Sequence, residues 1–226
     1  PQWKSRGEKV KEEEEQVAVK GIDTDSRLED LVEDPGTNVA LLGAVFCSIA
    51  VLCAKEQAQT FATKSKGVAH VSVGALRFIF AMLGCALAPR CVKVFGGFGT
   101  WMVVALMASA MLLCSPVVTG LSEELWIATA TGFFPLLFFA LPCVVTLRRA
   151  RARDLPVSVA LALTLACQQC GFILWHLAGP LLPEGLGPWL GAVCCVWTAV
   201  LCSRAIVCDR DGQIGIQTVS TGPSSA

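Results

Sequence analysis

The sequence predicts an all-α integral membrane protein, a polytopic bundle of about six transmembrane helices. Hydrophobic residues make up 54% of the 226 positions and charged residues only 16%, whereas soluble domains carry about 25% charged residues. The apolar residues are also concentrated in long runs that contain at most one charge. Because a bilayer core about 30 Å thick needs roughly 20 apolar residues per helix, such runs are suited to crossing it.

Six runs of this kind follow one another along the chain. They are Val39–Ala54, which is uncharged but short, Gly67–Pro89, which carries Arg77, and the uncharged runs Val94–Ser122, Leu125–Leu147, Leu155–Pro183 and Gly185–Ser203. In hydrocarbon, backbone groups must be satisfied within the segment, which favours helices. The runs also lack the alternation of apolar and polar residues that is typical of barrel strands.

Polar segments flank the membrane domain, which we place at residues 37–207. Residues 1–36 form an acidic tail, and residues 208–226 form a polar tail that we expect to be irregular. Thr37 or Asn38 is suited to cap the first helix. Pro135 and Pro142 fall inside the fourth run, where we expect them to kink the helix.

The distribution of Lys and Arg predicts the orientation. With six spans, both termini share one face, together with the loops that carry Arg90 and Lys93, the cluster Arg148–Arg153, and Arg204 and Arg210 after the last span. Leaving out the N-terminal tail, this face has eight basic residues and the opposite face has three. Basic loops stay on the cytosolic, stromal or matrix side. Because the chain starts with Pro, we interpret it as a processed protein of a thylakoid or mitochondrial inner membrane.

Small residues recur every fourth position in the sixth run. Gly187, Gly191, Cys195 and Ala199 form one narrow stripe. Membrane helices approach one another through such residues, since lipid is as apolar as leucine. The stripe therefore predicts a helix-packing face, whose partner is either another part of this chain or another protein.

The twelve cysteines do not suggest a disulfide framework, because ten of them lie inside the apolar runs. There a cysteine behaves as a small hydrophobic residue. Cys167 and Cys170 have the spacing of half a metal site, but no second pair accompanies them. We therefore favour packing over metal binding for this pair and expect no metal.

Ionisable residues within a membrane segment are functional candidates by default. Arg77 lies about midway in the second run, where it could bind an anionic substrate or a partner carboxylate. The alternative is a structural arginine that pairs with Glu56 or backbone carbonyls, or extends to the interface. Lys55 and Glu56 end the first run, and we expect an interfacial ion pair there.

His176 and Gln169 are the candidate pigment ligands, because both side chains can ligate chlorophyll magnesium. Both can equally donate hydrogen bonds across helices. Chlorophyll, carotenoid and lipid are therefore the candidate cofactors, and the sequence does not choose between them.

The sequence offers no enzyme active site. It contains two His, both in or beside apolar runs, so no Ser-His-Asp arrangement can be assigned. No G-x-x-x-x-G-K loop occurs. The zero net charge gives no indication of nucleic-acid binding.

Three stretches carry recognisable motifs: Lys55 with Gly74–Ala81, which reads GALRFIFA, then Thr129–Ala140 with its internal proline, and Gly185–Arg204 with a mid-helix Trp and a terminal Ser-Arg. Together they resemble the drug/metabolite transporter superfamily in its EamA-like branch. The resemblance spans most of residues 38–206. Members of this branch usually have ten helices in two inverted repeats, with substrate between them. This chain supplies one repeat and one extra helix.

Two functions follow as expectations. The first is a non-catalytic accessory or structural subunit of a larger membrane complex, with a plastid photosystem supercomplex as the preferred setting. The alternative is a small-metabolite transporter that acts as a homo-oligomer, with Lys55 and Arg77 near its pathway. Membrane lipids and other membrane subunits are the expected partners.

Overall fold

The computed structural model describes residues 34–64, 70–117, 121–152, 156–183 and 185–220. These ranges are almost entirely helical and contain no strand. The helices are α1 (Pro35–Lys64), α2 (His70–Cys114), α3 (Leu121–Ala128), α4 (Phe134–Ala152), α5 (Val157–Ala178) and α6 (Gly187–Ser220).

Five described segments are long and apolar enough to cross a membrane. They are Pro35–Phe61, Ala75–Val117, Leu125–Ala152, Val157–Leu181 and Gly187–Cys208. These long apolar helices indicate an integral membrane protein in contact with lipid. The described ranges give five segments where the sequence predicts six, because the second and third predicted runs are joined in α2.

Helix α2 is interrupted at one residue. Its 45 residues would extend about 67 Å as a straight helix, more than twice the bilayer core. Gly96 has φ 73° and ψ 174°, a non-helical conformation that glycine adopts without steric cost. The prediction that Arg90 and Lys93 lie in a loop is therefore wrong. Both residues are helical, since Gly96 alone makes the break.

The contacts of α2 show that the chain reverses direction at Gly96. In the first arm (residues 70–95), the Arg77 carbonyl oxygen is 2.5 Å from where a Cβ on Gly132 would lie. At the break, Gly97 lies against Val145. In the second arm (residues 97–114), the Met111 carbonyl accepts a hydrogen bond of 3.0 Å from the Trp126 indole. The first arm thus runs parallel to residues 132–145, and the second arm runs in the opposite direction.

Helix α1 occupies the centre of the bundle and packs against α4, α5 and α6. The approach is closest at two glycines. A Cβ on Gly171 would lie 2.5 Å from the Val45 carbonyl oxygen, and one on Gly191 would lie 2.8 Å from the Cys53 Cβ. Trp101 is fully buried against α1, where its indole donates to the Cys47 Sγ at 3.2 Å.

The proline-bearing fourth run is distorted at one of its two prolines. A π-helical turn, Thr129–Phe133, joins α3 to α4 and ends two residues before Pro135. A wide turn of this kind accommodates the missing N–H of a proline and its bulky ring. Pro142 lies within α4, which continues through it, and its carbonyl accepts a hydrogen bond from the Thr146 hydroxyl at 2.8 Å.

Asp34, rather than Thr37 or Asn38, caps α1. Its Oδ2 accepts hydrogen bonds from the Thr37 backbone N–H at 2.9 Å and from the Thr37 hydroxyl at 2.7 Å. The helix therefore starts at Pro35, inside the stretch assigned to the polar tail. At the other terminus, the expectation of an irregular tail after residue 208 is wrong, because α6 continues to Ser220.

Asp34 also forms a buried ion pair with Arg149 near the end of α4. The Arg149 Nε donates to Oδ2 at 2.8 Å and Nη2 donates to Oδ1 at 3.2 Å. The Asp34 side chain is only 1% exposed. The Arg149 guanidinium also lies 5.5 Å from the centroid of the Phe98 ring. One cation thereby joins α1, α4 and the second arm of α2 at this end of the bundle.

We expect Arg149→Ala to lower the free energy of unfolding by about 3–5 kcal/mol, because it leaves the Asp34 carboxylate buried without its cation. Arg148→Ala is the matched control, since that side chain is exposed, and should change stability by less than about 0.5 kcal/mol. Denaturant titration of the purified protein in detergent measures both. Equal effects of the two variants would contradict a structural role for the pair.

Candidate functional site

A groove of about 760 Å³ lies on the outside of the bundle between α2, α4 and α5. We call it the lateral groove. The first arm of α2 contributes Arg77, Phe78 and Ala81, the π turn and α4 contribute Thr131, Gly132, Pro135, Phe139, Ala140 and Cys143, and α5 contributes Leu165 and Gln168. It is an open trough with a mostly apolar lining.

Gly132 permits the close approach that forms one end of the groove. Its missing side chain leaves room for the Arg77 backbone, so the first arm of α2 lies directly on the π turn. The π turn precedes Pro135, which also lines the groove. The position of the groove therefore follows from a glycine and a proline three residues apart in the sequence.

Two of the three polar side chains in the groove have partners in the adjacent helices. The Thr131 hydroxyl donates to the Ile127 carbonyl at 2.6 Å. Gln168 is buried, and its Nε2 donates to the Phe139 carbonyl at 3.3 Å. Arg77 is exposed, and no hydrogen bond or ion pair is recorded for its guanidinium within the described ranges. The groove thus presents one cation on an apolar surface.

The structure corrects the predicted surroundings of Arg77. Arg77 is the eighth residue of α2, and its backbone lies against Gly132, the eighth residue of the apolar segment Leu125–Ala152. Glu56 is not its partner. The Glu56 Oε1 instead accepts a 2.7 Å hydrogen bond from the indole of Trp175, which is buried.

The other predicted ion pair is also absent from the described part of the chain. Lys55 is exposed and forms no recorded contact with Glu56 there. Both residues lie inside α1 rather than at its end, since the membrane-length segment continues to Phe61. The structure therefore does not bring Lys55, Glu56 and Arg77 together.

The two candidate pigment ligands on α5 face outward. Gln169 and His176 are both exposed, whereas the neighbouring Gln168 is buried. Among the described residues, no group of three or more His, Cys, Asp or Glu could hold a metal ion. Cys167 is half-buried and Cys170 is exposed, and both thiols are free.

The small-residue stripe of α6 faces the interior of the bundle. Gly191 lies against Cys53 of α1 and Leu112 of α2, while Cys195 and Ala199 are buried. Gly187 is half-buried near Trp175. Within the described chain, these positions contact α1, α2 and α5, so their neighbours belong to the same protein.

The buried hydroxyls inside the bundle are mostly satisfied by their own helices. Ser48, Thr100, Thr146, Thr164 and Thr198 each donate to the carbonyl four residues earlier. An internal cavity of about 10 Å³ has an apolar lining. Ser115 is the buried side chain recorded without a partner. In the described bundle, the buried hydroxyls therefore bond mainly within their own helices and form no continuous polar row through it.

Sequence reasoning missed the outward-facing tryptophan of α6. The outer face of α6 consists of Trp189, Val193, Val196, Trp197 and Val200, all exposed. Trp197 is 53% exposed. A signal was available in the sequence, because Trp197 is two residues from Cys195 and so lies nearly opposite the small-residue stripe on a helix with 3.6 residues per turn.

Comparison with protein-family models, with curated proteins and with solved structures gives no match for this chain. The fold and these local geometries therefore carry the functional argument. The resemblance to the EamA-like transporters stays a hypothesis based on short motifs.

Proposed function

We propose that the protein is a non-catalytic integral membrane subunit of a larger membrane complex, and that the outer face of α6 contacts a neighbouring subunit. The observation that carries this proposal is the outward position of Trp197 at mid-membrane depth. Its neighbour Thr198 contacts Cys47, with 3.8 Å between hydroxyl oxygen and sulfur. Cys47 lies near the middle of the 27-residue segment Pro35–Phe61.

Tryptophan is costly at this position if only lipid surrounds it. Its amphipathic ring favours the membrane interface, where the indole N–H reaches water or headgroups. In the hydrocarbon core, an unpaired donor carries a desolvation cost. Tryptophan is, in contrast, enriched at the centres of protein interfaces. A neighbouring helix on this face would cover Trp197 and could accept its hydrogen bond.

The bonding of the buried hydroxyls within their own helices supports the same role. A transporter that works as a single chain needs polar groups that line an alternating pathway. Here the buried hydroxyls bond within their own helices, and the lateral groove opens to the side of the bundle. The geometry therefore favours a component of an assembly over a self-contained carrier.

We expect Trp197→Ala to release the chain from its complex, because the variant removes the largest outward side chain at the centre of the α6 face. Native gel electrophoresis of gently solubilised membranes should show a shift from a large assembly to the free chain. Ile173→Ala is the control, since Ile173 is 58% exposed on α5. An unchanged assembly in the Trp197 variant would refute the proposed contact.

As the setting we propose an organelle membrane, with the photosystem supercomplex of a plastid thylakoid as the first complex to test. The support is the outward position of His176 and Gln169, which are accessible to chlorophyll on the surface of α5. Comigration of the chain with pigment bands on the same native gel distinguishes this setting from a respiratory complex.

We also propose that α2 crosses the membrane twice, which gives six spans and places both termini on the cytosolic, stromal or matrix face. The support is the reversal at Gly96 and the alignment of helix ends. Asp34, Phe98 and Arg149 lie together at one end of the bundle. Phe61 and Trp126 meet at the other end, with 5.2 Å between ring centroids.

With six spans, Lys93 and Lys64 lie on opposite faces of the membrane, because Lys93 precedes the Gly96 reversal and Lys64 ends α1. A membrane-impermeant amine reagent applied to one side of sealed vesicles should therefore label one of the two lysines. Inverted vesicles should give the opposite pattern, as read by peptide mass spectrometry. Protection of Lys93 from both sides would indicate a single crossing and overturn the six-span arrangement.

One observation favours the alternative function, a small-metabolite transporter that acts as a homo-oligomer. Arg77 presents a cation on the lateral groove, and two copies facing one another would enclose that groove. The EamA-like motifs around Arg77 agree with this alternative.

If the chain transports an anionic metabolite, Arg77→Ala should abolish uptake into proteoliposomes, because the cation in the groove is lost. Arg90→Ala is the control, since Arg90 is exposed on the same arm of α2 but does not line the groove. Full uptake in the Arg77 variant, or a wild-type chain without uptake, would exclude this alternative.

A further inference from the structure

We propose that the lateral groove binds one anionic phospholipid of the bilayer, with the phosphate on Arg77 and an acyl chain along the groove towards Cys143. This inference concerns a different surface from the outer face of α6. It does not depend on the subunit role, because the binding can be measured on the isolated chain.

The shape of the groove suits an acyl chain. It is open to the membrane, so a lipid can enter from the side without passing through the bundle. Its volume of about 760 Å³ is in the range of small-molecule sites. Phe78, Ala81, Pro135 and Leu165 provide an apolar surface.

The length of the groove suits one leaflet. Arg77 lies over Gly132 at one end, and Cys143 lies eleven residues further along the π turn and α4. Eleven helical residues span about 16 Å. The hydrocarbon of one leaflet is half of the bilayer core, or about 15 Å. An acyl chain that starts at Arg77 and has the length of one leaflet would therefore reach Cys143 along the groove.

The charge at the end of the groove selects an anionic headgroup. Arg77 is the eighth residue of α2, about two turns from the start of the helix, so its long side chain can extend towards the headgroup region while its methylenes stay in the groove. A guanidinium in such surroundings requires an anion nearby. The planar guanidinium donates bidentate hydrogen bonds to phosphate oxygens, which the lysine ammonium cannot do. The polar groups of Thr131 and Gln168 already have partners, so Arg77 is left as the selecting group.

Native mass spectrometry of the purified full chain tests the proposal, with phosphatidylglycerol and phosphatidylcholine of identical acyl chains as probes. We expect the wild-type chain to retain one phosphatidylglycerol in preference to phosphatidylcholine. Arg77→Gln should reduce this preference by roughly fivefold, the scale of one basic residue near an anionic headgroup. Arg77→Lys should keep part of the preference, while Arg90→Gln, on the same arm, should keep all of it.

A second pair of variants tests the acyl-chain position. Ala81→Phe fills the groove and should lower retention of both lipids, whereas Ala86→Phe, an exposed position on the same arm, should leave retention unchanged. An unchanged preference in Arg77→Gln, or an equal loss in Arg90→Gln, would overturn the proposal. A photocrosslinker at Ala140 that captures a protein in native membranes, rather than a phospholipid, would also overturn it.

Discussion

The architecture depends on the close approach of helix backbones around α1. In lipid, no hydrophobic driving force holds apolar helices together, so stability comes from van der Waals packing at short distance. Gly171 and Gly191 allow α5 and α6 to approach α1 until a single added methyl group would overlap with it. The central position of α1 follows, because it is contacted at small residues by helices on both of its sides.

Much of the fold could be predicted from the sequence, since long uncharged runs and small residues at every fourth position are local patterns. The stripe at Gly191, Cys195 and Ala199 lies inside the bundle, although nothing in one helix alone indicates its neighbour. The reversal between the second and third runs was predicted at Arg90 and Lys93, because these polar residues resemble a loop, whereas the helix continues to Gly96, three residues after Lys93. The cap was missed because Asp34 belongs, by composition, to the acidic tail.

The candidate site was less accessible to sequence reasoning. Arg77 stands out as a charge in an apolar run, but its groove is built from residues that are more than fifty positions away, in α4 and α5. Gln168 and Gln169 are adjacent and chemically identical, so only the helix phase of α5 decides which one is buried. Trp197 differs from Arg77 and from the two glutamines, because the small-residue stripe on α6 already indicates which side of that helix faces outward.

The contact between Asp34 and Arg149 has a consequence for the order of assembly during biosynthesis. The two residues are 115 positions apart, and one precedes the first helix while the other closes the fourth. The ribosome must therefore synthesise α1, α2, α3 and nearly all of α4 before the carboxylate meets its guanidinium. Until then, the cap on α1 forms without the Arg149 guanidinium, and the ion pair joins α1 to α4 only after α4 has been synthesised.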